Sequence, residues 1–146
     1  MMEELGAALK TLLGSVYATY LKAHGFHWNV EGRDFHEFHD FFSDIYEDIY
    51  GSVDPLAENI RKIGQYAPFT LSTLDRLSEV NDKKASTDAV AMCVDLHNAN
   101  EVVIKNIDAA FKAAVAANEQ GIANFLSERD GMHKKWRWQL EATIKR

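Results

Sequence analysis

Four of the six histidines in this 146-residue chain crowd into one short stretch, as His24, His27, His36 and His39. Behind them comes a run rich in carboxylates, with Asp40, Asp44, Glu47, Asp48, Asp54 and Glu58. Imidazole with carboxylate is a ligand set suited to iron, manganese or zinc. Taken singly, an acidic helix residue is usually a solvated charge, and a core-facing histidine is usually structural. Spacing sharpens the reading. Asp54 and Glu58 are four apart, so on a helix both project from one face. His39 and Asp54 are separated by about 22 Å along a helix, so no single metal ion joins them within one chain. An antiparallel pairing of two copies of this helix removes the obstacle. With a two-fold axis near residues 46–48, Asp54 and Glu58 of one copy come opposite His39 of the other, and His27 can join from the same side as His39. The geometry permits this site without proving it.

The elements that must position these residues read as long helices, because only 8 Gly and 2 Pro occur and few turns can be built from them. Leu5, Leu9, Leu12, Val16, Tyr20 and Ala23 fall in a narrow arc at ~100° per residue, predicting a first helix from about Glu3 to Val30. His27 extends that stripe, and turn residues around Gly32 follow. A second helix is expected from Phe35, capped by Asp34, through about Ile63, with Pro55 as a place for a bend and Gly64 as the stop. Residues 64–84 form the longest connection, holding a short helix within Thr70–Leu77 capped by Thr70 or Ser72. A third helix is expected from a cap at Ser86 to Ala117, and a fourth from about Ile122 to Ile144. Trp136 and Trp138 lie ~200° apart around that last helix, so they cannot share one core face. Hairpin, long crossover and hairpin in a single domain, residues 1–146, is the ferritin-like arrangement of an all-α four-helix bundle.

Composition narrows the function. The net charge of −6 opposes general affinity for nucleic acid or anionic membrane and suits attraction of cations. Cys93 is the only cysteine, so no intrachain disulfide can form and a reducing cytoplasm is expected. The N-terminus lacks the basic and apolar regions of a signal peptide, and no apolar run reaches membrane-spanning length. A di-iron carboxylate enzyme built inside one bundle needs paired Glu-x-x-His motifs. No Glu stands three residues before any His here.

The spaced pattern His27-Trp28-Asn29, Gly32, Phe35 and His39, followed by Asp54, Ala57 and Glu58, strongly resembles the Dps family, the DNA-binding proteins from starved cells. The similarity runs over nearly the whole chain. It includes the crossover APFTLSTL and the ending with His133, Lys135, Trp138 and Leu140. The resemblance implies a hollow shell of twelve subunits that oxidises Fe²⁺, usually with hydrogen peroxide, and deposits ferric mineral inside. It makes His27 and His39 metal ligands from one subunit, and Asp54 and Glu58 those of the two-fold partner. Trp28 would lie beside the site. His133 would pack or hydrogen-bond at an interface, while His24 and His36, outside the motif, read as surface histidines.

Two departures qualify the resemblance. The family usually carries an Asp four residues after the second histidine, where this chain has Ser43. A neutral hydroxyl is a poorer iron ligand than a carboxylate, so the first metal position is intact and the second is weakened. A Dps-like shell with reduced ferroxidase activity, serving as a structural, zinc-binding or DNA-protecting protein, is therefore the alternative. Secondly, members that bind DNA often use a mobile basic tail. The first nine residues here hold two Glu and no Lys or Arg, so DNA binding is expected to be weak or absent.

Overall fold

In the computed structural model, residues 1–83 and 87–145 are described. Among them lie six helices: α1 (Met2–Asn29), α2 (Phe35–Gly51), α3 (Val53–Lys62), α4 (Leu71–Leu77), α5 (Ala89–Ala116) and α6 (Gln120–Ile144). The four long arms of the bundle are α1, α2 with α3, α5 and α6, and α4 sits in the crossover. The stripe expected on α1 is buried at Leu5, Leu9, Leu12, Val16 and Ala23, with Tyr20 half-buried. Leu5, Leu9, Leu12 and Val16 of α1 meet Phe42, Ile45, Ile49, Leu56 and Ile60 of α2 and α3. Leu96, Val103 and Ile107 of α5 and Leu126, Trp136 and Leu140 of α6 complete it. Trp136 is 5 % exposed and Trp138 64 %, so the two tryptophans divide between core and surface as their angular separation requires.

The second helix is not one continuous rod. It is interrupted at Ser52, three residues before Pro55. Proline has no N–H to give the carbonyl four residues back, and its ring crowds that carbonyl, here Gly51. The helix therefore ends at Gly51 and restarts, which places Pro55 in the first turn of α3, where a missing N–H costs nothing. Ser52 seals the junction: its amide and its hydroxyl both donate to Ile49 O, at 3.0 and 2.6 Å.

Helix ends follow simple chemistry with two corrections. Thr70 caps α4, its hydroxyl accepting from Thr73 N. Asp34 holds the N-cap position of α2 but adopts φ 65°, and its carboxylate makes no capping bond. The expected cap at Ser86 falls outside the described residues. Asp88 caps α5 instead, its carboxylate accepting from Ala91 N at 2.9 Å. The crossover lies against α1 at Gly14, where a Cβ would come within 2.7 Å of Leu74 O and 2.8 Å of Ser78 N. No helix among the described residues is long and apolar enough to cross a membrane.

Candidate metal centre

His27 stands in the last turn of α1 and His39 in the second turn of α2. The short connection brings the two rings together, stacked with centroids 3.7 Å apart and planes 16° from parallel. Each ring is held by the other residue's backbone. His27 Nδ1 lies 2.7 Å from His39 O, and His39 Nδ1 lies 2.6 Å from His27 O. A carbonyl oxygen only accepts, so each Nδ1 carries the proton and donates. In a neutral ring the lone pair is then on Nε2. Backbone bonds of this kind fix the tautomer and orientation of metal-binding imidazoles. The His27 carbonyl belongs to the last turn of α1, which lacks helical partners, so the clasp also closes that helix end. Both residues remain half-buried.

Asp54 in the first turn of α3 and Glu58 one turn later are exposed. Among the described residues, no three His, Cys, Asp or Glu side chains within one chain gather into a metal site. The structure thus brings His27 and His39 together and does not bring Asp54 or Glu58 to them. Ser43, one turn beyond His39, is half-buried. Trp28 is 59 % exposed and faces the ring of His24 at 4.3 Å.

His24 was expected at the surface with His36. His36 is exposed, but His24 is half-buried and engaged. It stacks on Tyr46 at 3.9 Å with planes 10° apart and shares a 2.9 Å hydrogen bond with Tyr20. Burial, then the neighbouring His27, lower its pKa. The four-residue spacing of Tyr20 and His24, which puts both on one helix face, is the signal in the sequence for this pair.

A second histidine–carboxylate cluster lies deeper in the bundle. Arg129 of α6 makes a bidentate pair with Asp48 of α2, both bonds 2.9 Å, and Trp136 Nε1 donates to the same carboxylate at 2.7 Å. His133 is fully buried. Asn100 Nδ2 donates to His133 O, which turns Asn100 Oδ1 toward the ring, so His133 Nδ1 donates to it at 2.7 Å. His133 Nε2 is left to accept from Arg129 at 3.1 Å. The ring is therefore neutral, and burial with the Arg129 charge pushes its pKa down to about 3. Burial pushes Asp48 upward, but hydrogen bonds from Arg129 and Trp136 outweigh it and hold the carboxyl below its usual range. His133, expected to pack or hydrogen-bond at an interface, does so where α5 meets α6. Its partners lie in the same chain, because α5 and α6 pack closely enough for Asn100 to reach it.

Comparison with known proteins agrees with this architecture. The model of the ferritin-like domain matches residues 6–146. The chain belongs to the ferritin-like family, on its Dps branch. A DNA protection during starvation protein from Brevibacillus brevis is 28 % identical over 125 residues, covering 86 % of this chain and 84 % of that one. Another of that name from Helicobacter pylori is 37 % identical over 75 residues, about half of each chain. The crystal structure of a Dps protein from Bacillus brevis superposes with a TM-score of 0.93 at 25 % identity, covering 99 % of this chain and 97 % of that one. A Dps protein from Vibrio cholerae, described as a member of a superfamily of ferritin-like diiron-carboxylate proteins, gives 0.94 at 24 % identity, with coverages of 99 % and 91 %.

Proposed function

We propose that this chain is an iron-storage subunit with ferroxidase activity, assembling into a closed shell of twelve copies. Ferrous iron is its substrate, bound between two-fold related subunits. His27 and His39 of one subunit supply two imidazole nitrogens, and Asp54 and Glu58 of the partner subunit supply two carboxylates. The observation that carries this reading is the reciprocal clasp of His27 and His39. It spends both Nδ1 protons on backbone carbonyls and turns both Nε2 lone pairs outward from the clasp, which closes the end of α1 and also suits a cation. Two neutral imidazoles and two carboxylates balance the charge of one Fe²⁺, a donor set that iron accepts. Hydrogen peroxide serves as oxidant, and the ferric product is stored as mineral inside the shell.

Relatives named for DNA protection bring a role in protection as well. With a net charge of −6, removal of iron and peroxide is a better route to it than contact with DNA phosphates, which requires clustered cations.

The test is a crystal soaked in Fe²⁺ without oxygen and read by anomalous scattering. Iron on His27 and His39, completed by Asp54 and Glu58 of the partner subunit, is the expected result. Iron held elsewhere, or by one chain alone, overturns the assignment.

A further inference from the structure

One donor of the closed cluster is left over after the cluster's own bonds are made. Arg129 gives Nη1 and Nη2 to the two oxygens of Asp48, and Nη2 also lies 3.1 Å from His133 Nε2. Its Nε–H is buried and meets no acceptor among the described residues. An N–H withheld from both water and protein is destabilising, which is why interior donors are nearly always paired. Arginine cannot relieve the loss by giving up the proton.

Arg129 lines a small cavity. About 10 Å³ of space lies among Leu12 and Val16 of α1, Leu56 of α3 and Ile107 of α5, all of them buried. That is roughly the volume that one water needs. The polar side chains on its wall are Arg129, His133 and Ser52. Both ring nitrogens of His133 are already engaged. Ser52 has capacity left. Its hydroxyl hydrogen goes to Ile49 O at 2.6 Å, and a hydroxyl oxygen still has lone pairs with which to accept. The wall therefore offers one unused donor on α6 and one unused acceptor at the joint between α2 and α3.

We infer that this cavity binds a single ordered water, which accepts from Arg129 Nε and donates to Ser52 Oγ. A buried water is held by two to four polar partners, and these two meet that need. An anion fits worse. Asp48 already meets the Arg129 charge through two bonds, so an anion would bring an unpaired charge against apolar walls. An apolar occupant would leave the donor stranded. The water extends the cluster across the joint: Asp48 fastens α2 to α6 on one side of it, and the water fastens the joint itself. This inference concerns the interior of the bundle and does not depend on iron.

The test is a high-resolution crystal structure of the assembled, metal-free protein. One peak is expected within hydrogen-bonding distance of both Arg129 Nε and Ser52 Oγ, as well ordered as the side chains around it, in every independent copy. No peak there, a peak that misses either atom, or Arg129 Nε bonded to a protein group overturns the inference. A second crystal, grown in bromide, separates water from a small anion. No anomalous signal is expected in the cavity, and a bromide peak overturns the assignment. Val16→Ile gives a check in solution by pushing one more carbon into the space. In a dry cavity the added carbon fills a void and raises the urea midpoint. Where it displaces a bonded water it strands Arg129 Nε, so the midpoint should fall, with the methyl standing in place of the water peak. A raised midpoint overturns the inference.

Discussion

Two clusters in this bundle combine histidine with carboxylate, and they differ in every other respect. The cluster of Asp48, Arg129, His133, Asn100 and Trp136 is closed: the carboxylate receives donors from Arg129 and Trp136, and both ring nitrogens of His133 have partners within the chain. His27 and His39 engage one nitrogen each and stay half-buried, while Asp54 and Glu58 stand exposed. The first arrangement pins α2, α5 and α6 to one another. The second has its Nε2 edges unspent, and polar groups left so are expected to find their partners in something that arrives later. Residue type is the same in both, and the state of satisfaction separates structure from function.

The largest effect expected is on the closed cluster. Asp48→Ala strands the Arg129 charge in a site where its side chain is only 13 % exposed and removes the partner of Trp136. Breaking such a pair costs about 3–5 kcal/mol, to be read as a lowered midpoint in urea unfolding. Asp54→Ala, on the open side, should shift stability by no more than about 0.5 kcal/mol. Equal losses from the two substitutions would remove the distinction.

The reciprocal experiment is on ligand binding. His39→Ala and Glu58→Ala should each weaken ferrous binding by more than about 100-fold, beyond the range for losing a mere outer-shell partner, as measured by anaerobic titration. Disassembling the two variants and reassembling them together should restore a fraction of complete sites. A mixed interface can combine intact histidines of one chain with intact carboxylates of the other. No recovery in shells shown to be mixed would refute the shared site.

Acid gives a smaller and purely structural contrast. The folded pKa of His133 lies at about 3, against ~6.5 for a free imidazole. Between these values the unfolded chain binds a proton that the folded chain does not, so stability falls as pH falls. Asp48, held below its usual range, adds a further loss in the same direction at more acid pH. From pH 7 to pH 5.5 the His133 contribution is about 1 kcal/mol, and the urea midpoint should drop accordingly. It should be flat above pH 7 and flatter throughout in His133→Gln.

The sequence made the open site easier to read than the closed one. His27, His39, Asp54 and Glu58 carry regular spacing on helices, and periodicity alone located the buried stripe of α1. The partners Asp48 and Arg129 are far apart in sequence, and nothing local announces that they meet. The partner of His133, Asn100, lies on another helix 33 residues away, so the spacing of His133 alone does not name it. The interruption at Ser52 was placed at Pro55 because proline marks the residue at fault, whereas the conflict falls on the carbonyl of Gly51 four residues earlier. His24 looked superficial because a histidine outside the motif gives no sign of the Tyr46 ring beneath it.

The smallest effect, and the finest division of the open site, concerns Ser43. The four ligands proposed make one complete donor set, and a second iron beside it would draw on whatever stands one turn beyond His39. A serine hydroxyl offers a weak neutral donor there, where a carboxylate would offer charge as well as oxygen. Asp44 does not substitute, since it is displaced by ~100° around the helix, and Asp40 stands ~60° away and three residues back toward the start of the helix. Ser43→Asp should therefore strengthen the second position alone. Ferrous titration of the variant should approach two ions per site in place of one tight ion, and the initial oxidation rate with peroxide should rise several-fold. Stability should hardly change, because Ser43 is only half-buried. Two tightly held ions in the wild type would show that the hydroxyl, or a water beside it, is ligand enough, and would leave the His27–His39 clasp standing as the anchor of a full two-iron site.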